Sequence, residues 1–125
     1  MPMSDAELNQ LRKATARLLY PSESDYPLDI FHWDLGESET SARELVVRAC
    51  KPRADKIEEV SLDAFFTELA GVPDAEQFRE LRHLLESDLT NLQVFRVGEI
   101  EIHIYIVGRT RSNNWIAVHT VSIET

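Results

Sequence analysis

The stretch Val94–Glu124, VFRVGEIEIHIYIVGRTRSNNWIAVHTVSIE, decides the fold. Within it Ile100, Ile102, Ile104 and Ile106 alternate strictly with Glu101, His103, Tyr105 and Val107. That period of two is the signature of a strand whose successive side chains face opposite ways. Val94–Val97 before it and Trp115–Glu124 after it are further β-type runs. Gly98-Glu99 has the composition of a two-residue type II′ hairpin turn, with glycine first. Gly108–Asn114 (GRTRSNN) is a longer polar turn. The chain therefore ends in three consecutive antiparallel strands, apolar on both faces, and both faces need cover.

Working outward from this meander, Leu28–Trp33 (LDIFHW) reads as a fourth strand. Leu28 and Ile30 face one side of it, Phe31 and Trp33 the other. The rest supplies helices. Ser4–Leu19 is one, opened by a Ser4/Glu7 capping box. Its apolar stripe is Leu8, Leu11, Thr15, Leu18 and Leu19, and Tyr20-Pro21 stops it. Thr40–Cys50 is a second, with Leu45, Val46 and Ala49 inward, followed by a basic connector over Lys51–Lys56. Ser61 caps a short third helix carrying Phe65, Phe66 and Leu69, closed by Gly71. Asp74 caps the longest, which runs to Leu89 on a stripe of Phe78, Leu81, Leu84, Leu85 and Leu89. Helices on both faces of one sheet predict an α+β fold, a three-layer α/β/α sandwich around a mixed, mainly antiparallel four-stranded sheet. The length fits a single domain over residues 1–125.

The 125 residues carry 22 Asp+Glu against 13 Lys+Arg, a formal net charge of -9. Such a balance lacks the electrostatic footprint of a nucleic-acid or anionic-membrane binder, so no direct nucleic acid and no membrane are expected. Its natural complement is a basic partner. The excess is local: Glu23, Asp25, Asp29, Asp34, Glu37, Glu39 and Glu44 are opposed only by Arg43. Cys50 is the single cysteine, which excludes an intrachain disulfide and a Cys-rich zinc site. MPMSDAELNQ has no signal-peptide core, and no run approaches the ~20 apolar residues of a membrane span. A cytoplasmic protein is expected.

Catalytic signatures are scarce. No GxSxG elbow, P-loop or dinucleotide fingerprint occurs. Cys50 reads as a small buried hydrophobe. His103 and His119 fall on neighbouring strands, with Glu101 nearby. They are either a metal or acid–base cluster or two sheet residues satisfied by hydrogen bonds. Two histidines without a clear third ligand fall short of a zinc site, which favours the second reading. The run SESDYP (Ser22–Pro27) is too short for an EF-hand loop.

Three segments taken in order resemble the nuclease A inhibitor family: LLYPSESDYPLDIFHW (Leu18–Trp33), VSLDAFFTEL (Val60–Leu69) and NLQVFRVGEIEIHIYIVG (Asn91–Gly108). The Glu124-Thr125 ending matches as well. The resemblance implies a sandwich like that of pathogenesis-related proteins. It also implies inhibition of a sugar-nonspecific, magnesium-dependent DNA/RNA endonuclease by a protein that is not itself an enzyme. On this reading the Thr125 carboxylate reaches the Mg²⁺ of the partner nuclease in trans, with no cofactor of the inhibitor's own. Glu23, in the segment Ser22, Glu23, Ser24 and Asp25, supplies a second anion, and Glu124 borders the contact. The expected complex is 1:1, formed by a protein that is monomeric when free. Two stretches depart from the family: Leu69–Asp74 is shorter and has no aromatic residue, and Arg109–Asn114 is more basic. The alternatives are an acidic adaptor for another basic protein and a metal-dependent hydrolase built on His103 and His119.

Overall fold

The structure, a computed structural model, describes residues 5–16, 18–20, 26–33, 46, 57–72, 74–110 and 115–123. The isoleucine run lies at its centre. Strands β5 (Thr90–Val97), β6 (Glu101–Arg109) and β7 (Trp115–Ile123) form the expected antiparallel meander. Strand β3 (Asp29–Trp33) adds to β7, and β4 (Ile57–Val60) adds to β5, giving the order β3-β7-β6-β5-β4. A separate ribbon pairs β1 (Leu19–Tyr20) with β2 (Tyr26–Pro27).

Two expectations about the sheet are corrected here. Among the described residues it has five strands rather than four, and every described pair is antiparallel rather than mixed. The fifth strand, IEEV, runs half-buried, exposed, exposed, half-buried, so it has no period of two to reveal it. Its strand state comes from pairing Ile57 with Val97 and Val60 with Val94. The sheet is not mixed because the early strand pairs with the last one, which runs the opposite way.

The β5–β6 connection is also not a two-residue hairpin. Val97 pairs with His103 and Val94 with Ile106. A two-residue turn would have placed Val94 opposite His103 and moved the isoleucine stripe to the other face. The observed register keeps Val94 and the isoleucines together and leaves Ile100 in the turn, 60% exposed. Gly98 still has the required glycine geometry: its φ is +118°, and a Cβ there would collide with the Glu101 carbonyl oxygen.

Helices cover the isoleucine face. They are α1 (Asp5–Thr15), α2 (Leu62–Glu68), a 3₁₀ turn at Leu69–Gly71, and α3 (Ala75–Asp88). Leu11, Phe66, Phe78, Leu81 and Leu85 pack on Ile102, Ile104, Ile106, Ile116 and Val118. Each such side chain contributes roughly 1.5–3 kcal/mol of burial. The Ser61 Oγ accepts the Ala64 N–H at 3.0 Å, the expected N-cap of α2. Asp74 sits at the N-cap of α3 without a side-chain cap bond. The first helix ends at Thr15, short of Leu19. The Thr15 hydroxyl donates to the Leu11 carbonyl at 3.0 Å, Leu18 N–H donates to the Thr15 carbonyl at 3.1 Å, and Leu19 enters the β1–β2 ribbon. Ser4 lies outside the described residues.

The other face buries Phe95, Val97, Tyr105, Val107, Trp115 and Ala117 together with Val46. Val46 is helical and fully buried; the rest of the Thr40–Cys50 segment lies outside the described residues.

Candidate functional site at one end of the sheet

The residues singled out for partner binding, Ser22, Glu23, Ser24 and Asp25 in one segment and Glu124 and Thr125 in another, lie outside the described residues. Their flanks are described. Leu19 pairs with Pro27 and Tyr20 with Tyr26, so residues 21–25 connect the two arms of the ribbon. Asp29 pairs with His119 across antiparallel strands. The chain leading into Asp29 therefore runs beside the part of β7 beyond His119. The Thr120 hydroxyl fixes this by donating to the Pro27 carbonyl at 3.1 Å. Strand β7 continues to Ile123, which pairs with Glu101. The ribbon bearing segment 21–25 and the strand end leading into Glu124-Thr125 thus occupy one end of the sheet.

The β5–β6 turn reaches the same end. Leu19 and Ile100 are the exposed large hydrophobic residues among those described, at 45% and 60%. They stand on opposite sides of β7, Leu19 on the ribbon and Ile100 beside Glu101.

A row of titratable side chains crosses the sheet just behind this end, on the face opposite α1, α2 and α3. His103 and His119 sit diagonally on β6 and β7, as same-face neighbours on adjacent strands do. Nδ1 of His103 lies 3.0 Å from Nε2 of His119. Nε2 of His103 lies 3.3 Å from Oε2 of Glu101. Nδ1 of His119 lies 3.9 Å from Oδ2 of Asp29, an ion-pair separation rather than a hydrogen bond. The two imidazoles stack at 19° with centroids 5.2 Å apart, and the Tyr105 ring lies 4.8 Å from that of His119.

Burial pushes the His119 imidazole below its ordinary pKa. The neighbouring His103 pushes the same way, and Asp29 opposes both. His119 is therefore held neutral at pH 7. Among the described residues no group of three or more His, Cys, Asp and Glu side chains is placed to hold a metal ion. The two histidines do meet, through the 3.0 Å contact between their ring nitrogens. His83 is exposed on α3, Cys50 lies outside the described residues, and the His32 side chain is not among those described. Asp29 stood in the sequence only as one member of the acidic run, because its place beside His119 depends on a pairing ninety residues apart in sequence, between β3 and β7.

A family model described as nuclease A inhibitor-like protein matches residues 5–125. The chain belongs to the nuclease A inhibitor-like family. The match to this inhibitor family spans both segments singled out in the sequence and every described strand. No curated protein matches the chain. Among the described residues no helix is long and apolar enough to cross a membrane.

Proposed function

We propose that the protein inhibits a magnesium-dependent, sugar-nonspecific endonuclease by plugging its active site one-to-one. The Thr125 carboxylate takes a coordination position on the nuclease Mg²⁺ that a phosphate oxygen of DNA or RNA would occupy. Such a metal keeps open positions for oxygen ligands, and a carboxylate oxygen is a hard donor that cannot be hydrolysed. Glu23, with Ser22, Ser24 and Asp25, offers a second anion to the basic residues around that metal, and Glu124 borders the contact. The net charge of -9 then substitutes for the anionic nucleic acid and speeds encounter with a basic cleft. The inhibitor acts as a monomer in the cytoplasm, protecting the cell that makes the nuclease.

The observation carrying this reading is the shared location of the two flanks. Covalent connectivity keeps the Cα of Glu23 within about 11 Å of that of Tyr26, and the Cα of Thr125 within about 8 Å of that of Ile123. Both flanks belong to the same sheet end, so one partner cleft can meet both anions. Leu19 and Ile100, exposed on either side of β7, add apolar area that a partner could cover at the same end. A complex of this kind buries about 1,600 Å² in total.

The test is titration into a magnesium-dependent nonspecific nuclease from the same source, with DNA cleavage as readout. Untagged protein should inhibit at a 1:1 ratio. Amidating Thr125 or appending a C-terminal tag should abolish most of that inhibition while leaving thermal unfolding unchanged. Equal inhibition by tagged and untagged protein would sink the metal-capping mechanism. Replacing Glu23→Gln should weaken inhibition less than blocking Thr125. An adaptor for another basic protein would bind its partner regardless of the state of Thr125.

A further inference from the structure

We propose that Asp29, His119, His103 and Glu101 form a positioning device that ties the two halves of the inhibitory site together and makes inhibition acid-sensitive. This rests on the inhibitor reading above. The four side chains run in sequence across three strands. Asp29 begins β3, two residues after the ribbon that bears segment 21–25. Glu101 is the ladder partner of Ile123, two residues before Thr125. The row therefore starts at the base of one anionic segment and ends opposite the root of the other.

Proton arithmetic defines its working state. A direct bond between two imidazole nitrogens needs one N–H and one bare nitrogen. A carboxylate beside each outer nitrogen favours an N–H there as well. Nδ1 of His103 then donates to the bare Nε2 of His119, which leaves the His119 N–H on Nδ1, towards Asp29. A proton added to Nε2 of His119 removes that acceptor and sets two N–H groups against each other across the 3.0 Å contact.

Separation is the only relief, and it must move β6 against β7 or turn one imidazole towards solvent. Both side chains are largely buried, at 18% exposed for His103 and 14% for His119, so the rings have little room. The described groups facing His119 are Asp29 from β3 and His103 and Tyr105 from β6; Glu101 faces His103. Among the described residues the carboxylates facing the pair are Asp29 and Glu101, and they stand 61% and 46% exposed, where water screens them. Acidification therefore loosens the ladder at the strand end that presents Thr125.

The experiment has two arms. In the free protein, NMR over pH 5–8 should show the His119 ring signals and the backbone amides of Asp29 and Ile123 moving with one midpoint. In His119→Gln, which keeps a hydrogen-bonding side chain but does not titrate, that midpoint should vanish from both amides. In the second arm, the dissociation constant for a magnesium-dependent nonspecific nuclease is measured at pH 7.5 and 5.5. The wild type should lose about tenfold in affinity and His119→Gln should lose much less, the nuclease's own titration being common to both. His103→Gln serves as the second variant should the first not fold. Amides that ignore the His119 titration, or identical pH profiles for wild type and variant, overturn the proposal. A wild type whose amides track His119 but which inhibits at no pH overturns the inhibitor reading and leaves the structural coupling standing.

Discussion

The two faces of the sheet are built on different principles. The face under α1, α2 and α3 is mainly aliphatic and aromatic, with Ile102, Ile104, Ile106, Ile116 and Val118 meeting Leu11, Phe78, Leu81 and Leu85, and it buries the small polar side chains of Thr120 and Ser122 opposite Ile104 and Ile102. The opposite face begins in the same way, with Trp115, Ala117, Val107 and Phe95, and then turns polar along the same strands at His119, His103 and Glu101. Five residues beyond His119 the chain reaches Glu124, in the segment singled out for partner binding. Non-directional apolar contact suffices where only stability is needed. Where a strand end must be held in one place, the molecule uses directional hydrogen bonds between titratable groups.

This contrast is broken most directly by large core truncations on the helical face. Phe78→Ala, at a fully buried ring, should cost about 3–5 kcal/mol in chemical unfolding. The folded fraction should nevertheless inhibit as the wild type does. Reduced inhibition per folded molecule would mean that the two regions are not separable.

Gly108→Ala comes next. A Cβ there would stand 2.9 Å from Leu89 Cβ and 2.9 Å from Leu92 Cδ2, both on the helical face. Neighbours that are themselves packed must move, so about 1–3 kcal/mol of stability should be lost. An unchanged midpoint in urea would show that the Leu92 side chain can turn away freely. Ser61→Ala removes the N-cap of α2 and should cost about 1 kcal/mol by the same measurement.

The smallest effect on stability belongs to the polar end and sharpens the comparison through pH. His119 has a lowered pKa when folded, so the unfolded chain binds more protons as pH falls below the ordinary histidine value of about 6.5. Stability is therefore full above that value and is lost progressively below it, down towards the folded pKa. Unfolding midpoints measured between pH 7.5 and 5.5 should fall for the wild type and fall less for His119→Gln. Parallel slopes would assign the acid sensitivity to other groups.

Much of this molecule was legible in local patterns. The alternation at Ile102–Val107 marked a strand with two distinct faces, Ser61 marked a helix start, and the spacing of Phe78, Leu81 and Leu85 marked a buried stripe. The nearness of His103 and His119 followed from adjacent strands of one meander. The ordered segments from Leu18 to Gly108 carried the family, which the match over residues 5–125 bears out. What failed was everything set by pairing at a distance. The strand at Ile57–Val60 has no period of its own, Gly98 opened a longer turn than its composition implied, and Thr15 rather than Pro21 ended the first helix.

The sequence alone thus determined the three-strand meander, the start of α2, the apolar stripes, the surplus of negative charge and the family, because each is encoded in neighbouring residues or in composition. Only the tertiary structure decided the register of β3 on β7, and with it the placing of Asp29 beside His119 and of the ribbon beside the end of β7. The physical reason is that a strand's pairing partner is selected by burial and side-chain parity across the whole sheet, and short stretches of chain hold no record of that choice.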